Sequence, residues 1–317
     1  MTEVETPPRT GVVVVGSVTA DLTTFSRRLP ARGETIHGDD FTLVLGGKGA
    51  NQVIAAARAG ATASFVACVG DDLFHDMIVE GLTEAGVDIV HLRTVPGPTG
   101  IAHIRVDESA QNDIVIVPLA NAALSVEQVD TALAALAPTA GVLLTQLEIP
   151  TELAIHAART AHDLGLTVVL DPAPAVPLPD DAWAAVDIVT PNETEATILT
   201  GITVTDLASA TLAGQWFLER GVGTAVITLA QEGAIVVTAE DVRQFAPFFV
   251  EPVDTTAAGD AFSGYLGAAL AAGTTIDDAV RRACAAGALA VTKRGASPSL
   301  PLRADVDAFL AARTPSH

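Results

Sequence analysis

Gly11-Val12-Val13-Val14-Val15-Gly16 is an uninterrupted run of β-branched residues between two glycines. A half-wet strand alternates apolar and polar residues; a run without alternation needs cover on both faces. It reads as a buried parallel strand. The stretches that follow supply the cover. Patterning predicts helices over 50–59, 73–85, 126–136, 152–164, 193–199 and 207–220. Strands are expected over 63–69, 89–92, 142–145, 167–170, 188–190 and 225–228. That alternation predicts an α/β fold, a three-layer arrangement with a mainly parallel central sheet flanked by helices.

Four segments depart from the succession. Residues 19–25 and 35–44, with Pro30 and Gly33 between them, are polar, turn-broken and weakly alternating. So are 99–106 and 112–117. They read as exposed antiparallel strands of one small β-sheet lid appended to the main body. No fixed-period repeat or low-complexity linker appears. The expectation is a single domain over 1–317, with lid strands from about 19–45 and 99–117.

Composition narrows the function classes. The 317 residues are 49% hydrophobic, enough for a sizeable core. Only 17 basic residues stand against 38 acidic ones, a formal charge of −21. Such a chain repels phosphate backbones, and its densest basic clusters are the pairs Arg281-Arg282 and Lys293-Arg294, so no nucleic-acid partner is expected. Cys68 and Cys284 lie in apolar surroundings without metal-ligand spacing and read as buried thiols. Residues 1–10 hold no apolar secretory segment, and no long charge-free span predicts a membrane crossing. A cytoplasmic protein is expected.

Chemistry concentrates at a few turns. Asp254-Thr255-Thr256-Ala257-Ala258-Gly259-Asp260-Ala261-Phe262 enters an Ala-rich helical stretch. Unpaired N–H groups and the helix dipole make such an entrance an anion site. A carboxylate beside it repels an anion, which makes sense if Asp260 takes a proton from an attacking hydroxyl. The bland alternative is an Asp capping an ordinary helix. Gly46-Gly47-Lys48-Gly49-Ala50-Asn51-Gln52 also opens a helix. Gly49 follows Lys48 where a Walker loop needs Ser or Thr. Close backbone approach with Lys48 and Asn51 as donors suits a polyol; a glycine turn with an exposed lysine is the plainer reading. Asp21 and Glu148 follow strands, where ligands of open α/β sheets bind and where turn residues also sit. Pro191-Asn192-Glu193-Thr194-Glu195 makes a good helix start, and Thr228 to Gly233 is compatible with a hairpin turn. The seven histidines show no paired spacing, which disfavours zinc chemistry and hydrolase triads.

Taken together, and in this order along essentially the whole chain, these motifs resemble the ribokinase-like sugar kinases, the PfkB carbohydrate kinases. Residues 46–52 are similar to that family's N-terminal signature and 254–260 to its C-terminal one. Gln146-Leu147-Glu148, Pro172-Ala173-Pro174-Ala175, 190–196 and 290–295 have the family's form as well. The resemblance implies ATP-dependent phosphorylation of the primary C5 hydroxyl of D-ribose, giving D-ribose 5-phosphate and ADP. Asp260 is then the general base, and the amides of Ala257, Ala258 and Gly259 form the anion hole. Thr19, Asp21, Gly47, Lys48, Gly49, Asn51 and Glu148 would hold the sugar. Asn192, Thr228, Ala230, Gln231, Gly233, Gly259 and Cys284 would border ATP. Glu195 would handle Mg²⁺ through water. Asp254, Thr256, Ala290, Lys293, Gly295 and Ser299 match the positions that bind an activating K⁺. A lid-mediated homodimer is implied too. Two departures stand out. Thr19-Ala20-Asp21 replaces the family's usual Asn-Ala-Asp, leaving room for 2-deoxyribose, another furanose or a nucleoside, and Ala230-Gln231-Glu232 varies the nucleotide turn.

Overall fold

The computed structural model describes residues 8–109 and 112–313. The first part of the chain runs β1 (Gly11–Val15), β2 (Thr19–Phe25), β3 (Asp40–Gly46), α1 (Lys48–Arg58), β4 (Ala63–Gly70), α2 (His75–Glu84) and β5 (Leu92–Val95). There follow β6 (Ile101–Val106), β7 (Asn112–Val117), α3 (Val126–Leu136), β8 (Ala140–Thr145), α4 (Thr151–Asp163) and β9 (Thr167–Leu170). Next come β10 (Ile188–Val189), α5 (Glu193–Thr200), α6 (Leu207–Leu218), β11 (Thr224–Thr228), β12 (Ala234–Val237) and β13 (Val242–Phe245). The last elements are α7 (Ala258–Ala271), α8 (Ile276–Ala290) and α9 (Arg303–Ala311).

Nine strands form the main sheet in the order β13-β12-β11-β10-β9-β8-β1-β4-β5. The seven from β11 to β5 are parallel, and β12 and β13 add an antiparallel edge. In β1, Val12 and Val14 face one core layer while Val13 and Val15 face the other. That is the period-two consequence of a strand covered on both sides. Helices α1, α2, α7, α8 and α9 cover the first face, and α3 to α6 the second. No helix among the described residues is long and apolar enough to cross a membrane.

The small sheet has the order β3-β2-β6-β7. It is rooted by Asn121, whose buried side chain pairs with both the N–H and the C=O of Val18 at 2.9 and 2.8 Å. Asp72 secures the other root, accepting from the backbone N–H and the hydroxyl of Thr99.

Three expectations need correction. The outer pairs of the lid are antiparallel, but its central pair β2/β6 runs parallel. The strand expected over 35–44 is β3, which begins at Asp40. Phe25, the last residue of β2, pairs with Asp40 and accepts from the Asp39 N–H at 2.7 Å, so 35–38 lie past the end of the strand they would pair with. The strand expected over 89–92 is β5, displaced to Leu92–Val95, because β4 offers its pairing register to those residues. The hairpin expected at 228–233 is present: β11 and β12 pair antiparallel around a turn ending at Gly233, whose φ is +90°.

Candidate active site

Sheet order places the polar residues. Strands β1, β8, β9, β10 and β11 lie side by side and parallel, so their C-terminal ends make one row. Ser17 follows β1, Gln146 and Glu148 follow β8, Asp171 follows β9, Asn192 follows β10, and Thr228 ends β11. Ligands of open α/β sheets bind outside such a row. Above its β1 end stands the lid, which contributes Thr19 and Asp21 from β2.

Around Lys48 the chain packs backbone against backbone. A Cβ on Gly49 would stand 2.6 Å from Ser17 N, and one on Gly46 would overlap the Asp21 carboxylate. Gly47 has a φ of +89°, a left-handed conformation that turns β3 into α1. The Lys48 N–H donates to Glu148 Oε2 at 2.9 Å, and the Ser17 hydroxyl donates to the same oxygen at 2.6 Å. Thr19 donates its hydroxyl hydrogen to Asp21 Oδ1 at 2.6 Å. Burial works against the charge on the half-buried Lys48. The surrounding carboxylates of Asp260, Asp171, Glu148 and Glu195 outweigh it and lift the lysine's pKa above its ordinary value. Asp21 has no such cation beside it. Burial, opposed by the Thr19 hydroxyl and aided by Glu148 and Asp260, pushes its pKa up to about 7.

Asp260 lies in the first turn of α7 and does not cap it; Ala257 holds that position with no side-chain cap. Ala257 has a φ of +59°, strained for a residue with a Cβ. Nothing lies within 4 Å of where a Cβ on Gly259 would stand, so its backbone faces open space. The Ala258 N–H closes the turn onto Thr255 O at 3.3 Å. Asp260 Oδ2 accepts from Asn51 Nδ2 at 2.9 Å and Oδ1 from Gln52 Nε2 at 3.3 Å. The Asn51 Oδ1 atom is buried and has no hydrogen-bond partner in the structure. A buried acceptor left open beside a carboxylate suits a ligand hydroxyl.

Further along the row, Asn192 and Glu195 form a reciprocal capping box at 2.8 and 2.9 Å, so the helix-start reading of this motif holds. Thr228 bridges to Asn192, and its N–H donates to Pro191 O at 3.0 Å. Ala230, Gln231 and Gly233 lie in the turn after β11, with Ala230 at a φ of +40°. Cys284 stands on α8, packed against the α1/α7 core, where burial pushes its thiol pKa up to about 12. Both cysteines are free. Asp254 Oδ1 accepts from the N–H and hydroxyl of Thr256, while Oδ2 accepts from Gly295 N at 2.8 Å. The carboxylate therefore clips the segment before α7 to the one after α8, which carries Lys293, Gly295 and Ser299; Ala290 is the last residue of α8. Ser299 is buried and spends its hydroxyl hydrogen on Ala296 O, leaving its lone pairs open.

The row also contains Ser17, Gln52, Gln146 and Asp171, which the motif reading did not single out. Gln52 and Gln146 sit inside quoted motifs, and Asp171 immediately precedes Pro172.

The pfkB family carbohydrate kinase pattern matches residues 9–303. The chain belongs to the pfkB family of carbohydrate kinases. The kinase is 41% identical over 303 residues to a ribokinase from Haemophilus influenzae, covering 95% of this chain and 99% of that one. It is 34% identical to a deoxyribokinase from Salmonella typhi over 292 residues, covering 92% and 95%. It also superposes on an Arabidopsis thaliana ribokinase solved with ribose and ATP, with a TM-score of 0.86 and 32% identity. That match covers 95% of this chain and 98% of the other. The α/β body with its separate small sheet is thus the fold of a known group of sugar kinases, and the chain is a phosphotransferase.

Proposed function

We propose that this kinase transfers the γ-phosphoryl group of ATP to the C5 hydroxyl of D-ribose, acting as one domain with the lid closing over the sugar. The observation that carries the mechanism is the Asp260 carboxylate, oriented on both oxygens by Asn51 and Gln52 beside the open backbone of Gly259. Asp260 accepts the hydroxyl proton as the oxygen attacks. The amides of Ala257 and Gly259, joined by Ala258 once its N–H turns from Thr255 O, receive the equatorial oxygens of the transferring group, where positioning and charge stabilisation supply most of the catalysis. Thr19, Asp21, Gly47, Lys48, Gly49, Asn51 and Glu148 hold the sugar hydroxyls. Asn192, Thr228, Ala230, Gln231 and Gly233 border ATP, with Cys284 on the adenine side. The similar Arabidopsis ribokinase was solved with ribose and ATP, which supports a sugar and a nucleotide as the two ligands.

ATP carries a divalent metal, and Mg²⁺ is the ion proposed. No cluster of three or more metal-ligating side chains occurs among the described residues. Glu195, with one oxygen engaged in the capping box, fits contact through water, as the strong hydration of Mg²⁺ favours. Asp254, Thr256, Ala290, Lys293, Gly295 and Ser299 would hold K⁺ where the Asp254 clip brings their segments together. Charge supplied there would support the anion hole. The outer lid face carries exposed Phe41, Leu43, Val115 and Val117, which supports a homodimer through the lid. A cytoplasmic location accords with the expected supply of ATP and the reduced thiols.

A second reading has an observation of its own. Thr19 spends its hydroxyl hydrogen on Asp21, so it has no donor left for a sugar oxygen. That favours 2-deoxyribose, and a deoxyribokinase is among the relatives. An ADP-release assay over ribose, 2-deoxyribose, arabinose, xylose, fructose, adenosine and uridine, with and without K⁺, separates the readings. Ribose is expected to give the highest kcat/KM, raised by K⁺. A higher value for 2-deoxyribose would transfer the assignment to that sugar, and no turnover with any of them would overturn the function.

A further inference from the structure

Gln52 is fully buried at the junction of two carboxylates. Its Nε2 lies 2.7 Å from Asp171 Oδ2 and 3.3 Å from Asp260 Oδ1. A primary amide nitrogen has two hydrogens, so each carboxylate receives one. The amide oxygen is spoken for as well: Gln146 Nε2 donates to Gln52 Oε1 at 2.5 Å. The orientation is therefore set by chemistry. Reversing the amide would aim an oxygen at two carboxylates and leave Gln146 facing a nitrogen. Gln52 belongs to α1, Asp171 follows β9, and Asp260 lies in α7, so one side chain ties three elements at the point where the sugar hydroxyl must lose its proton.

We propose that Gln52 is a positioning residue for phosphoryl transfer, holding the Asp260 carboxylate in its attacking geometry by bridging it to Asp171, with Gln146 locking the bridge. Asn51 secures the second Asp260 oxygen but is also a proposed sugar contact, whereas Gln52 is buried behind the base and acts only through it. The charged groups facing Asp260 are Lys48 from α1, Asp171 after β9 and Asp21 from β2, with Glu148 after β8 and Glu195 from α5 facing Lys48 and Asp171. Lys48 is the one cation in this set. Without the bridge, Asp260 Oδ1 would lose its amide hydrogen and the tie to Asp171, and Asp260 would be free to turn away from the sugar. The inference rests on Asp260 as the base.

The test compares wild type with Gln52→Glu, Gln52→Met and Asp260→Asn, measuring ribose kinetics across the neutral pH range together with thermal melts. The base works deprotonated. Amide hydrogens stabilise its charged form, so losing one raises its proton affinity, and a third carboxylate raises it further. Both Gln52 variants are expected to lose about 10- to 100-fold in kcat through misplacement of the base. Their ribose KM should stay within about threefold, the sign of an interaction made in the transition state. The acid limb of the kcat/KM profile should move to higher pH, further in Gln52→Glu than in Gln52→Met. Lower thermal stability with an unmoved acid limb, whatever the kcat, would overturn the inference, because a packing role changes stability and leaves the titration of the base alone. Either variant carries the test if the other does not fold. Asp260→Asn should fall at least about 100-fold. If it does while the Gln52 profiles match wild type, only the bridge is lost; near-wild-type turnover in Asp260→Asn would remove the base and the bridge together.

Discussion

At the residue scale, Asp21 shows what a binding carboxylate costs a fold. Buried beneath the lid near Glu148 and Asp260, it has a pKa raised from 3.8 to about 7. The folded state therefore holds a proton that the unfolded chain has already released between those values. Its contribution to stability is present in full below the unfolded pKa and is lost as pH rises toward 7. Asp21→Asn keeps an acceptor for the Thr19 hydroxyl and removes the charge. The variant should gain about 2–4 kcal/mol over wild type at pH 8, because each pH unit separating the folded and unfolded values is worth roughly 1.4 kcal/mol, and almost nothing at pH 4. Denaturant unfolding at the two pH values measures this, and an equal change at both would contradict it. Ribose affinity should fall in the same variant, since a neutral amide replaces a carboxylate among the proposed sugar contacts.

At the scale of elements, the site depends on how closely α1 approaches α7. Residues Lys48, Asn51 and Gln52 come from the first turns of α1, and Asp260 from the first turn of α7. The two helices touch through Gly264, where an added Cβ would stand 2.4 Å from the Ala55 Cβ and 2.6 Å from Gln52 O. Gly264→Ala must push the helices apart. It should cost about 1–3 kcal/mol of stability, the usual range for overpacking a filled core. It should also lower kcat, because the separation carries Asn51 and Gln52 away from Asp260. Equilibrium unfolding and steady-state kinetics on one preparation test both parts, and wild-type values in both would show that the contact relaxes elsewhere. The capping box of α5 works at the same scale: it stabilises the helix start while placing Glu195 beside the row of strand ends. Helix nucleation and the proposed metal handling therefore draw on the same capping box.

Over the whole molecule, the lid leaves large apolar side chains such as Phe41 and Val115 exposed. One of its faces carries Asp21 and turns to the site. The cross-strand register puts Leu43, Leu22, His103 and Val115 in one row on the opposite face, with Phe41 in the next row. Exposed apolar rows on a thin sheet mark a contact surface. The kinase should sediment as a dimer, and Val115→Lys should shift it to monomer while leaving the fold intact by circular dichroism. A monomeric wild type at micromolar concentration would rule out the lid contact. The formal charge of −21 gives Lys48 and the proposed anion hole more to do, since an anionic nucleotide approaches an acidic body and needs local donors to be held.

Periodicity, glycine placement and capping are local properties, and what they control was legible along the chain. The valine run of β1, the helix–strand alternation, the four lid segments and the two glycine-rich helix entrances all follow from neighbours in sequence. Long-range pairing was not legible. Asp171 meets Gln52 across 119 residues, and Gln52 meets Asp260 across 208. Nothing near any of these residues signals the others, and a glutamine inside a helix carries no mark of the carboxylates it will join. The start of β3 and the position of β5 depended likewise on which residues a neighbouring strand offered for pairing. The sequence by itself determined the layers, the helix entrances and the candidate base Asp260; only the tertiary structure decided which buried donors meet which carboxylates, because that follows from the packing of three elements around one amide.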